Sequence, residues 1–252
     1  MGQYYRGAIL SKTSNTNKRI KVVKAFCPYA HKNGAKLMEH SYVGNNYVKS
    51  YELALAGEFY GQPFVWAGDY ADTFTINDKE HDVYALACRM ILKEATVRAK
   101  EQGYRRNPEK NTLFKDFRSK KRENGEYTYR RIEDFVDVLT YVDSIPVKHK
   151  YIINFTKKMY TVIPEKDKSS EHLTIHPLPL LCAFGNGRGG GDYSGKNMEL
   201  VGAWAFDRIG VANELPEGFK TELVVSFEEN YYNPTSTRYS PTFKDYKIVE
   251  HE

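Results

Sequence analysis

From Asp82 to Gln102 the apolar residues Ala85, Leu86, Cys88, Met90, Ile91, Leu92 and Ala95 recur at the spacing of one helix face. Asp82 stands where an N-cap belongs, and Gly103 stands where a helix stops. A second helix is predicted from about Asn45 to Gly57, with Val48, Tyr51, Leu53 and Leu55 on its apolar face, and a third over Ile132–Val142. Outside this block the patterning is β-like. Gln3–Leu10 and Arg19–Phe26, separated by the polar stretch SKTSNTNK, read as a hairpin, and Phe64–Ala67 as a short buried strand. Tyr151–Phe155 and Met159–Ile163 flank a tight turn at Thr156-Lys157-Lys158. Leu173–Ile175, Leu178–Phe184, Glu199–Phe206 and Glu222–Phe227 are further strand candidates, and Asn230–Tyr246 reads as irregular.

Strands at both ends with helices clustered between them predict an α+β fold, not alternating βαβ units. The expected architecture is a mainly antiparallel sheet core with a helical inserted middle segment. The length, 252 residues, fits a single domain over 1–252, with 79–148 as a helical, basic insertion within it. Aromatic residues make up 14% of the chain, far from the composition of a disordered one.

The net charge of +5 is unevenly placed. Between Arg105 and Arg131 ten Lys and Arg stand against four acids, so this window carries +6 and the rest of the chain −1. Such a run is either a nucleic-acid surface, with Tyr104, Phe114, Phe117, Tyr127 and Tyr129 available for stacking, or a solvated face. Cys27, Cys88 and Cys182 are too few and too scattered for a disulfide framework or a structural zinc site, which points to a reducing compartment. The opening MGQYYRGAIL has no signal-peptide pattern, Arg6 departs from a myristoylation motif, and no apolar run is long enough to span a membrane. A soluble, cytoplasmic protein with no membrane partner is expected.

Five glycines in seven residues make Gly185–Gly191 the most unusual stretch. Glycine lets backbone amides approach a ligand and form a nest around an anion. Gly187, Arg188, Gly189, Gly190 and Asp192 are therefore the candidate ligand-binding residues, with Arg188 suited to a phosphate or carboxylate. The run matches neither a Walker A loop nor, for want of a following helix, a dinucleotide fingerprint. Its plain alternative is a flexible hairpin loop. His176, fixed in extended geometry by Pro177, would aim its imidazole toward the loop, or simply sit at a strand entry. In Gly68-Asp69-Tyr70-Ala71-Asp72, the carboxylates Asp69 and Asp72 suit a hard metal ion or acid–base work, although Asp is also a turn former. His40, beside Glu39 and Ser41, is a further catalytic candidate, and a Cys27 nucleophile paired with His40 or His176 is the remaining arrangement.

The stretches MGQYY, KLMEHSYVGNNYV, VWAGDYAD, HPLPLLCAFGNGRGGGDY and VGAWAFD resemble a group of bacteriophage and bacterial proteins. The resemblance covers the first 75 or so residues and about 150–207, leaving the middle block as an insertion. It implies an α+β unit whose loops converge, and a host-cytoplasm setting if the protein is phage-encoded.

Three function classes follow. The first is a binding module for a small anionic ligand, phosphate-bearing and of the nucleotide kind, held by the glycine loop. The second is a hydrolase of a phosphorylated substrate, dependent on a metal or on the His and Asp residues named above. The third is a structural or partner-binding protein. Neither a cofactor nor an oligomeric state is specified by the residues.

Overall fold

The computed structural model describes residues 3–12, 20–76, 79–108, 116–121, 123, 125–136, 148–165, 173–185, 193, 197–225, 227 and 247–250. The chain opens with β1 (Tyr5–Leu10) and β2 (Val22–Lys24), which pair antiparallel as expected. A short helix α1 (Leu37–His40) precedes α2 (Asn46–Ala56), whose first free amides are capped by the Asn45 side chain, which accepts from Tyr47 and Val48 N–H. Next come β3 (Gln62–Gly68), a small hairpin of β4 (Phe74–Ile76) and β5 (Lys79–His81), and the long helix α3 (Val83–Glu101). The α3 cap is Asp82, which accepts from Ala85 N–H at 2.9 Å.

The basic window then forms strands: β6 (Tyr104–Arg106), β7 (Phe117–Ser119) and β8 (Tyr129–Arg130) make a separate antiparallel sheet. The middle block thus holds the longest helix and, in addition, a three-stranded sheet. Of the helix expected over Ile132–Val142, Ile132–Phe135 is a 3-10 turn and residues 137–142 lie outside those described.

The C-terminal half contributes β9 (Tyr151–Asn154), β10 (Met159–Val162), the helix α4 (Pro177–Leu181), β11 (Ala183–Phe184), β12 (Arg208–Ala212), β13 (Thr221–Val224) and β14 (Lys247–Glu250). Two strand expectations are corrected. Leu178–Phe184 is mostly α4, because Pro177 at the first helical position is preset for a helix and His176 caps it. Glu199–Phe206 is a run of turns with positive φ at Gly202 (81°) and Phe206 (68°), and the strand follows it as β12. Leu173–Ile175 contributes one bridge, Ile175 to Tyr42. The stretch 230–246 lies outside the described residues.

The fold is α+β, with a main sheet in the order β14-β13-β10-β9-β12-β3-β1-β2. Its ladders are antiparallel except β10–β13 and the side pairing of β11 on β3. β3 is central, and its apolar run is buried on both faces, as a continuous hydrophobic strand requires. Phe64 and Trp66 face α2, packing with Tyr5, Ile9, Tyr47, Tyr51 and Leu55. Val65 and Ala67 face α3, packing with Ala8, Leu10, Ala87, Ile91 and Ala95. Each such large apolar side chain contributes about 1.5–3 kcal/mol by leaving water. No described helix is long and apolar enough to cross a membrane.

Candidate functional site

One end of the central strands gathers more chemistry than any other described part of the molecule. β1 and β3 run antiparallel in the register Tyr5↔Gly68 and Arg6↔Ala67. The pairing continues one residue beyond, where Asp69 N–H donates to Tyr4 O at 2.9 Å and Tyr4 N–H donates to Asp69 Oδ1 at 3.0 Å. Asp69 is thus committed to holding the strand end, and Asp72 is exposed beyond it. On the other edge of β3, β11 pairs parallel, Phe184 to Ala67, so that Gly185 leaves beside Gly68.

Gln3 fills the space between these two glycines and is only 2% exposed. A Cβ on Gly68 would come 2.4 Å from Gln3 Oε1, and one on Gly185 would come 2.5 Å from the same oxygen. Close approach is therefore what both glycines are for. The roots of the two loops singled out in the sequence stand side by side. Gly187, Arg188, Gly189, Gly190 and Asp192, which continue from Gly185, lie outside the described residues.

Arg6 occupies this end on the α3 face. Alternation along β1 turns it away from the Tyr5 and Ile9 side, toward α3. Its guanidinium carbon lies 5.5 Å from the Tyr29 ring centre and 5.3 Å from that of Tyr84, and Nε donates to Cys88 Sγ at 3.1 Å. Nη1 is buried without a hydrogen-bond partner, and no carboxylate pairs with Arg6 among the described residues. Burial opposes the charge while the nearby Tyr47, Tyr84 and Cys88 favour it, and Arg6 stays a cation. Burial pushes both phenols up, against the pull of Arg6, so neither carries a counter-charge at neutral pH. Tyr4, Tyr29 and Tyr70, all exposed, are contributed by the segments around this cation and Asp69. A cation between rings, with an open aromatic rim, suits an anion that carries a flat or ring-shaped body.

The histidines lie elsewhere. His176 does not aim at the glycine loop: its Nδ1 accepts from Leu178 N–H at 3.1 Å, capping α4, and its Nε2 lies 3.1 Å from Glu52 Oε1, off the line of a straight hydrogen bond. Because the Leu178 amide occupies Nδ1, the ring proton belongs on Nε2, facing the carboxylate. His149 Nδ1 approaches the other oxygen, Glu52 Oε2, at 3.5 Å. Glu52 is buried, which alone would raise its carboxyl, yet the two imidazoles outweigh burial and hold it at about 2.

His40 packs against Gly34, and its burial lowers its basicity. The Cys27 thiol is buried and pushed up by that burial, the reverse of what a nucleophile needs, and neither His40 nor His176 is turned to it. No group of three or more His, Cys, Asp or Glu able to hold a metal ion occurs among the described residues, so Asp69 and Asp72 have no such companions there. Sequence reasoning missed Arg6 and Glu52. Each is a charged residue on an otherwise apolar face, and that is the signal by which both were findable.

Comparison with protein-family models, with curated proteins and with solved structures gave no match.

Proposed function

We propose that the protein is a binding module for a small anionic ligand of the nucleotide class, held at the end of β1 and β3. Arg6 supplies the counter-charge to the phosphate. Tyr29, which is 49% exposed, forms the outer wall against which a ring stacks. The observation that carries this reading is the buried, unpartnered Nη1 of Arg6. An unpaired charge in a low-dielectric setting costs several kcal/mol, and two aromatic faces return only about 1–4 kcal/mol between them. A ligand anion supplies what is missing. The glycine-rich residues 187–190 and Asp192, which follow from Gly185 at the same strand end, are the proposed second half of the site.

Thermal melts with inorganic phosphate, AMP and ATP at millimolar concentration test the reading. AMP and ATP should raise the midpoint of the wild-type protein, because a ligand that binds only the folded state stabilises it by mass action. Arg6→Gln should abolish the shift for every ligand, whereas Tyr29→Ala should abolish the preference of AMP over phosphate. No shift in the wild type with any of the three would refute the proposal.

A further inference from the structure

The three-stranded sheet formed by the basic window has two unlike faces. Residues directly opposite one another in an antiparallel ladder share a face. One face carries Phe117, fully buried, with Tyr104 and Arg130. It packs on Phe135, whose ring centre lies 5.0 Å from that of Phe117 and 5.3 Å from that of Tyr104. On this face Arg130 pairs with Asp134 at 3.3 Å, while Arg106, opposite Phe117, is exposed and makes no ion pair among the described residues. Arg131, just past β8, pairs with Glu133 at 3.2 Å.

The opposite face holds the row Arg105, Arg118 and Tyr129, one residue from each strand. Tyr127, two residues before Tyr129, has its ring 4.7 Å from the Arg118 guanidinium carbon and 6.3 Å from the Tyr129 ring. Two arginines placed directly opposite each other repel, and a sequence selected for stability alone would set an acid in one of these places. None of Arg105, Arg118, Lys120 and Lys121 makes an ion pair among the described residues, although Glu123 and Glu126 lie in the same hairpin. Arg118 Nε is buried with no hydrogen-bond partner.

We propose that this outer face of β6–β7–β8 is a docking surface for single-stranded nucleic acid, with Arg105 and Arg118 on phosphates and the Tyr127–Tyr129 pair stacking on bases. Charge complementarity requires an anionic partner. The two adjacent rings favour a polymer with flat bases over an acidic polypeptide, whose side chains offer nothing to stack. The footprint is a few nucleotides, since three strands at about 4.8 Å spacing span roughly 10 Å. None of these residues belongs to the Arg6 site, so the two proposals are tested by different variants.

Fluorescence anisotropy of labelled oligo-dT and oligo-U with the full chain, over a series of salt concentrations, is the test. The log of the affinity should fall linearly with log salt, and Arg105→Ala should reduce that slope by about 0.7, the value for one phosphate contact on a single strand. Tyr129→Ala should weaken binding by roughly 5- to 100-fold, and Tyr129→Phe should restore it. Arg105 is exposed, so Arg105→Glu keeps the test valid if Tyr129→Ala fails to fold. The proposal is overturned if neither oligonucleotide binds at low salt, or if Arg105→Glu binds as the wild type does. It is also overturned if polyglutamate displaces the oligonucleotide at equal charge concentration while Tyr129→Ala has no effect, an outcome that assigns the face to an acidic polypeptide.

Discussion

Glu52 shows how one side chain can be both buried and charged. It sits in α2 next to Tyr51, on the stripe that also carries Val48 and Leu55, and two imidazoles from distant segments compensate it. Its carboxyl is held at about 2 against an ordinary value of 4.5. A carboxyl lowered on folding contributes stability that is full above the unfolded value and is lost as pH falls through the folded one. Urea unfolding should therefore show stability falling between about pH 4.5 and pH 2. Glu52→Gln should cost on the order of 2–3 kcal/mol at pH 7, and its gap to the wild type should close near pH 2. A gap that persists unchanged at pH 2 contradicts the assignment. In the sequence, Glu52 was visible only as an acid on an apolar helix face. Its partners were not, because His149 and His176 lie about a hundred residues away and no local rule links them. Arg6 was visible in the same way, as the one charge in the strand YRGAIL.

At the level of elements, what could be read locally was read. α2 and α3, with Asp82 as the α3 cap, and the β1–β2 and β9–β10 hairpins follow from periodicity and turn residues, whereas the Asn45 cap of α2 emerges only in the fold. α4 did not, because HPLPLL reads as extended until His176 is seen to cap a helix that Pro177 begins. The basic window hid its strands because charged residues on a small exposed sheet carry no apolar alternation. The glycines at the loop roots make a further prediction. Gly68→Ala or Gly185→Ala must displace the buried Gln3 amide, and each should cost about 1–3 kcal/mol in chemical denaturation. Combining Gly68→Ala with Gln3→Ala should recover part of the loss, since the nearest remaining neighbour is the Tyr5 ring at 3.2 Å, and Gly185→Ala should recover less, because its Cβ still meets Tyr5 Oη at 2.7 Å. No recovery in the double variant would mean that Gln3 is not what the glycines accommodate.

Across the whole molecule, the order of the sheet was beyond the reach of the sequence. β12 is inserted between β9 and β3, and β13 joins β10 in parallel, pairings that depend on contacts between distant segments. Their outcome places β3 at the centre, with one aromatic core on the α2 face and a smaller-residue core on the α3 face. Hydrogen exchange should accordingly be slowest at the amides of Val65, Trp66 and Ala67 and fastest in β6–β8, which form a sheet of their own. The same centrality explains the position of the candidate ligand site. A strand covered on both faces ends at Gly68, beside Gly185 and with Arg6 on its α3 face, so the loops that leave there start from fixed points.

The contact between Arg6 and a bound anion is read most directly from its own side chain. In a nitrogen–proton spectrum the Arg6 Nε–H resonance should move on titration with AMP, saturating with the same dependence as the backbone amides of Gly68 and Asp69. A resonance that stays in place while AMP binds, or an equal thermal stabilisation of Arg6→Gln by AMP, would show that the ligand is held somewhere else.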